Sequence, residues 1–276
     1  MLENSIVAPS DKTAEEGRRS PASFARSVMR SLAFGAALAV AALAYPFLTC
    51  GFRAGALHRR RAWWLHRLCR VLTQVVGLRV GSSGRVIGAG MIVSNHLSYL
   101  DIVAYSALAP CVFVAKKEVR DWPVFGWFAR MAGTVFVDRG RRAAVAGAGA
   151  EIEEVLRAGI PVVLFAEGTS SDGRQVLPFR SSLLAPAARS CEPLTPAAVS
   201  YDLADGSPAE EVCYWGEMTL LPHLLNLFTK RRITAQIAFG ASAPAPPDCS
   251  RMQLAQDLHG VVSLLHATLL DGSPMP

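Results

Sequence analysis

The first strong apolar feature runs from Ser31 to Phe52, 22 positions without a charged side chain. A helix of that length extends roughly 33 Å, against about 30 Å for a bilayer core. The run is Ala-rich and contains Pro46, so it fits a membrane span, a hairpin dipping into one leaflet or a core helix. A cleaved signal peptide ending near Ala42-Leu43-Ala44 is a further reading, since arginines precede the run. Before it, residues 1–24 are polar and read as a disordered tail. After it, Trp64, Leu65, Leu68, Val71, Leu72, Val75 and Val76 recur at helical spacing among Arg60, Arg61, Arg67 and Arg70. That pattern predicts a basic amphipathic helix over 60–78, suited to a headgroup layer or to packing on a domain.

From residue 79 the pattern changes to short apolar runs alternating with helical periods. Strands are predicted at 90–94, 111–115, 133–138, 161–166, 194–200 and 232–239. Helices are predicted at 99–108, 118–131, 141–158, 217–229 and 251–269. This alternation implies an α/β fold: a mixed, largely parallel sheet covered by helices. With the N-terminal membrane-associated helical segment at 25–78, the chain divides into that segment, an α/β domain at 79–240, and a Pro-rich connector with a C-terminal helix at 241–276.

Composition adds a direction. The net charge is +6, hydrophobic residues make up 51% and the mean hydropathy is +0.28. Basic charge suits nucleic acid or an anionic membrane; the apolar excess selects the membrane. The six cysteines show no Cys-x-x-Cys pair, so reduced thiols are expected and neither a zinc site nor a metal is implied.

Four predicted strands end in chemistry. Met91–Ser94 leads into Asn95-His96, with Asp101 five residues beyond the histidine. Histidine titrates near neutral pH, and a carboxylate beside it fixes the tautomer and stabilises the imidazolium. The run from Gly133 through Phe136 ends at Arg139, the run from Val162 ends in Glu167-Gly168-Thr169, and Leu194–Val199 carries Pro196. In an open α/β sheet the carboxyl edge gathers such residues. Taken together they predict a polar site holding a base, an anion-binding arginine and a small-residue turn.

In this order and at these intervals, the four blocks resemble the glycerolipid acyltransferase family related to bacterial 1-acyl-sn-glycerol-3-phosphate acyltransferases. The match covers roughly residues 80 to 240 and makes 79–240 an acyltransferase domain. The resemblance implies that His96 deprotonates an acceptor hydroxyl, which attacks the thioester of acyl-CoA or acyl carrier protein. Asp101 would orient His96, Arg139 would bind an anionic headgroup, and Glu167, Gly168 and Thr169 would shape the acceptor pocket. No cofactor, metal or nucleic acid is implied. The partners are the acyl donor, a lyso-lipid and the membrane, with the catalytic domain on the cytoplasmic face of the inner membrane.

Two positions depart from the family pattern. Ala166 replaces a proline, and Ser170 replaces an arginine that would help hold a phosphate. A serine supplies a neutral hydrogen bond only. Arg174 or Arg180 would have to substitute, with Asn95 and Ser170 as further candidate headgroup contacts. Lysophosphatidate is the first acceptor to consider; lyso-ornithine lipid, which has no phosphate, is the alternative. A metal hydrolase built on His96, Asp101 and Glu167, and a non-catalytic membrane-binding protein, are the readings from other classes. Lys116, Lys117, His223, Tyr214 and Trp215 carry no assigned role: a solvated pair, a structural histidine, and rings that pack the core or line an acyl channel.

Overall fold

The computed structural model describes residues 20–272, apart from 87, 139–141, 190–191 and 247–248. The expected polar tail lies outside the described residues up to position 19. Its last positions are structured: Ser20 accepts a hydrogen bond from the Ser23 N–H at 3.2 Å and Pro21 opens a helix, a favourable N-terminus because proline's missing donor is not needed there.

In chain order the elements are α1 (Pro21–Thr49), α2 (Ala54–Val76), β1 (Leu78–Ser83), β2 (Met91–Ser94), α3 (Leu100–Leu108) and β3 (Val112–Lys116). Then come α4 (Phe125–Met131), β4 (Val135–Val137), α5 (Arg142–Arg157), β5 (Val162–Phe165), α6 (Ala185–Arg189) and β6 (Leu194–Leu203). The chain closes with α7 (Pro208–Glu211), α8 (Leu220–Thr229), β7 (Ile233–Phe239) and α9 (Arg251–Asp271). The seven strands form one sheet in the order β1-β7-β6-β2-β5-β3-β4. Every neighbouring pair is parallel except β6 with β7. The sheet is therefore mixed and largely parallel, as the alternating pattern predicts.

Period-two alternation explains how the core is built. On β2 and β5, Ile92 and Val163 face a cluster with Leu68 and Leu72 of α2 and Leu227 of α8. Met91, Val93, Val162 and Leu164 face the other side, toward Val155 of α5 and Leu254 of α9. Both strands are buried throughout, which is why they read as unbroken apolar runs.

The helix predicted over 60–78 begins earlier, at Ala54, and its apolar stripe turns inward. Trp64 is buried between Tyr45 and Phe128, and its indole N–H donates to Ala41 O at 2.9 Å. Trp63 alone of the pair faces outward, with Arg67 over its ring. Helix α1 lies along the domain: Phe34 meets Phe228 of α8, and Tyr45 meets α2. Its other face exposes Met29, Leu32, Val40, Leu43 and Phe47. It is the one helix among the described residues long and apolar enough to cross a membrane.

Two further expectations change. Residues 78–83 form an unpredicted edge strand, because Gly81-Ser82-Ser83 lacks apolar alternation. The helix predicted over 118–131 is split into a 3-10 turn at Lys117–Asp121 and α4. Pro123 cannot continue a helix, and Val124 sits at φ +60°.

Candidate active site

The site begins where the β2–β6 ladder stops. The last backbone pair is Ser94 with Ala197. Asn95 then supplies the next rung from its side chain: Nδ2 donates to Val199 O at 3.0 Å, and Val199 N–H donates to Oδ1 at 2.8 Å. Both backbone groups of Val199 are thereby satisfied while the main chain leaves the sheet. Asn95 has no exposed surface. The expected headgroup contact is corrected to a clamp, because its carboxamide is engaged by β6.

The clamp releases His96 at the sheet's carboxyl edge. Its Nδ1 lies 2.7 Å from Asp101 Oδ2. The same oxygen accepts the N–H groups of Leu97 at 2.7 Å and Ser98 at 3.1 Å. The other oxygen accepts the Tyr201 hydroxyl at 2.6 Å. Asp101 has no exposed surface, so its charge rests on four donors instead of water. A carboxylate in this setting only accepts, so Nδ1 carries the proton and Nε2 keeps its lone pair. The imidazole stacks on Phe165, centroids 4.1 Å apart, and is 22% exposed.

Tyr201 is the residue that sequence reasoning missed. The apolar run predicts a strand only to residue 200, and β6 continues to Leu203. A tyrosine inside an apolar strand was the available signal, since a buried phenol requires a partner. Burial, and secondarily the Asp101 charge, hold this phenol far above its ordinary titration range, so it remains a donor.

The β5 exit is built differently. Glu167 is 2% exposed. Its Oε1 accepts the His96 backbone N–H at 3.3 Å, and Oε2 has no hydrogen-bond partner among the described residues. Burial pushes this carboxyl up to about 8, against backbone hydrogen bonds from His96 and Leu177 that lower it. Gly168 turns the chain at φ +73°, a conformation that favours glycine. Thr169 is exposed.

The following loop is stitched to the histidine segment. Ser171 N–H donates to His96 O at 2.9 Å, and Tyr214 N–H to Leu97 O at 2.8 Å. The Ser170 hydroxyl donates to Tyr214 O. Arg180 Nε donates to Glu167 O at 3.1 Å. Arg174 is exposed and pairs with Asp172 at 3.4 Å. Arg139 lies outside the described residues; Asp138 beside it pairs with Lys117 at 3.2 Å. The structure thus brings together His96, Asp101, Glu167, Gly168, Ser170 and Arg180.

His223 is structural. Its Nε2 donates to Cys213 O at 3.0 Å and its Nδ1 meets the Tyr99 hydroxyl at 2.9 Å. Tyr214 packs edge-on against both rings. Among the described residues no three His, Cys, Asp or Glu side chains converge as a metal site.

A hydrogen-bonded imidazole with a free nitrogen, backed by a buried carboxylate, can take a proton from a hydroxyl. Comparison with known proteins agrees in kind. Residues 80–200 match the family model described as Acyltransferase. The chain is 34% identical to the lyso-ornithine lipid O-acyltransferase of Brucella abortus over 254 residues, covering 87% of this chain and 94% of that one. It is 31% identical over 180 residues to the 1-acyl-sn-glycerol-3-phosphate acyltransferase of Neisseria gonorrhoeae, covering 65% of this chain and 70% of the relative. The crystal structure of the Thermotoga maritima 1-acyl-sn-glycerophosphate acyltransferase PlsC superposes with a TM-score of 0.69 at 17% identity, covering 92% of this chain and 98% of the other. The likeness to PlsC is one of fold, and on the strength of the sequence relatives the chain belongs to the acyltransferase family.

Proposed function

We propose that this chain is a membrane-associated O-acyltransferase that moves a fatty acyl group from acyl-CoA or acyl carrier protein to the hydroxyl of lyso-ornithine lipid. The observation that carries the reading is the His96–Asp101 contact at 2.7 Å, which leaves Nε2 without a hydrogen-bond partner among the described residues. Nε2 takes the acceptor's hydroxyl proton as its oxygen attacks the thioester carbonyl. The tetrahedral intermediate collapses, the C–S bond breaks, and the imidazolium returns the proton to the departing thiolate. Asp101 stabilises the imidazolium between these steps and undergoes no net change. Holding both substrates against His96 supplies much of the rate.

The acceptor assignment rests on two observations. Four relatives, including those of Brucella abortus and Rhodobacter capsulatus, carry the name lyso-ornithine lipid O-acyltransferase. Ser170 stands where the family pattern has arginine, and its proton is committed to Tyr214 O. Lysophosphatidate is the second reading. Arg174 and Arg180, on the same loop as Glu167, are the cations that would favour it. Arg139 is assigned to the headgroup, and Glu167, Gly168 and Thr169 to the acceptor pocket. The exposed apolar face of α1 supports attachment to the inner membrane, with the domain on the cytoplasmic side.

The test is a side-by-side acylation assay of the purified protein with both lyso-lipids. Preferential use of lyso-ornithine lipid is expected. Preference for lysophosphatidate would overturn the acceptor and keep the chemistry; turnover of neither would overturn the reading.

A further inference from the structure

Four arginines converge on a concavity of about 600 Å³ that shares no lining residue with the His96 site. Arg70 comes from the last turns of α2, Arg79 from β1, and Arg231 and Arg232 from the entry to β7. Parallel pairing of β1 with β7 from Leu78 and Ile233 onward brings the last three to one end of the sheet. Leu108 forms part of the rim. It lies seven residues beyond Asp101, at the other end of α3, about 10 Å away along the helix axis.

The cluster differs from the other arginines near it. Arg26 donates to Thr229 O, Arg30 to Phe228 O and Lys230 O, and Arg59 to Ala158 O, so these three satisfy terminal carbonyls. Arg60 and Arg67 lie over the rings of Phe52 and Trp63. The four guanidiniums of the concavity are exposed, and among the described residues none has a protein hydrogen-bond acceptor or a carboxylate partner. No acidic residue lines the hollow. Like charges gathered in this way repel one another in the folded state, and a phosphate answers them with oxygens that suit the guanidinium fork.

Position points to the source of the phosphate. A second hollow of about 350 Å³ shares Arg231 and Arg232 and is lined by Ser23 and Arg26 from the first turns of α1. The same stretch of α1 exposes Phe24, Met29 and Leu32 on the face turned away from the domain. A bilayer that takes up that apolar face brings its headgroup layer to the first turns of α1, which Ser23 and Arg26 place next to Arg231 and Arg232. We infer that the four-arginine hollow binds the phosphate group of an anionic phospholipid, at a site separate from the catalytic one.

The full-length protein would be titrated with phosphatidylcholine vesicles, with and without phosphatidylglycerol. The double variant Arg79→Gln/Arg231→Gln is compared with Arg157→Gln/Arg251→Gln, which removes the same charge elsewhere. At about five-fold per arginine near a charged bilayer, the first pair should lower affinity for the anionic vesicles by roughly 25-fold. Binding to neutral vesicles should not change, and the second pair should change little. Equal losses from both pairs would overturn the site, since diffuse charge would then suffice. A parallel arm measures thermal stabilisation by coenzyme A and by pyrophosphate. Stabilisation that depends on Arg79 and Arg231, without any vesicle preference, would overturn the lipid assignment in favour of a soluble phosphate. Acyl transfer in detergent micelles should survive the first pair, which separates failure of this site from failure of the acyltransferase reading.

Discussion

Two strand exits meet at the site, and they are finished to different degrees. At the β2 exit the groups that aim His96 all have protein partners: Asn95 on Val199, His96 Nδ1 on Asp101, and Asp101 on the N–H groups of Leu97 and Ser98 and on Tyr201. Among the described residues the Ser98 hydroxyl is the one buried group there without a partner, and it takes no part in holding the histidine. At the β5 exit the acceptor-side groups Glu167 Oε2 and the Ser171 hydroxyl are buried without a partner among the described residues, and Thr169 faces solvent. Buried polar atoms without partners are rare. The contrast separates two tasks. A general base works only if its tautomer and direction are fixed before substrate arrives. A surface that receives a substrate keeps hydrogen-bonding capacity in reserve.

The largest effect should come from the finished exit. His96→Ala should lower acyl transfer by about 10²–10⁴-fold while leaving the melting temperature near that of the parent. Asp101→Asn should approach it, because an amide cannot accept from Nδ1, Leu97 and Ser98 and also stabilise an imidazolium. Near-normal turnover in folded His96→Ala protein would break the comparison at its root.

Tyr201→Phe tests whether Asp101 depends on its fourth donor. A hydrogen bond to a charged group contributes about 1.5–3 kcal/mol. With part of that loss falling on the imidazolium, kcat should drop by roughly ten-fold with KM little changed. A pH–rate profile should show the acidic limb displaced, the limb on which a general base loses its proton; a purely structural tyrosine would lower stability and leave the profile in place.

Glu167→Gln addresses the unfinished exit. The carboxyl is raised from its ordinary 4.5 to about 8 by burial. The folded state then holds the proton more tightly than the unfolded chain does. The stability this contributes is complete below about 4.5 and is lost as pH rises through about 8. The parent should therefore lose stability as pH rises from about 4.5 to about 8 and level off above that, and Glu167→Gln should flatten that slope in denaturant titrations. An unchanged slope would mean the carboxyl is not the group responsible.

Ser170→Ala should have the smallest effect, removing one neutral hydrogen bond to Tyr214 O, about 0.5–1.5 kcal/mol of stability. Ser170→Arg sharpens the acceptor question. Gain of lysophosphatidate turnover would show that position 170 controls headgroup charge, and no gain would place that control elsewhere on the loop.

The chain's own pattern determined a good deal. Alternating apolar runs dictated the strand–helix order and hence the mixed, largely parallel sheet, because a strand buried on both faces must be apolar throughout. The spacing of His96 and Asp101 determined their contact, since the carboxylate sits in the first turn of the helix the histidine precedes. The Glu167-Gly168 turn was legible from a strand ending in a carboxylate and a glycine. Tertiary structure alone decided the rest. Asn95 became a clamp and Tyr201 a donor through partners 104 and 100 residues away, and Arg79 met Arg231 and Arg232 only through the pairing of β1 with β7. The inward turn of Trp64 depended on Tyr45 and Phe128. Local pattern specifies which face of an element is apolar; which distant polar group it will meet depends on strand order, and strand order is settled only when the whole sheet assembles.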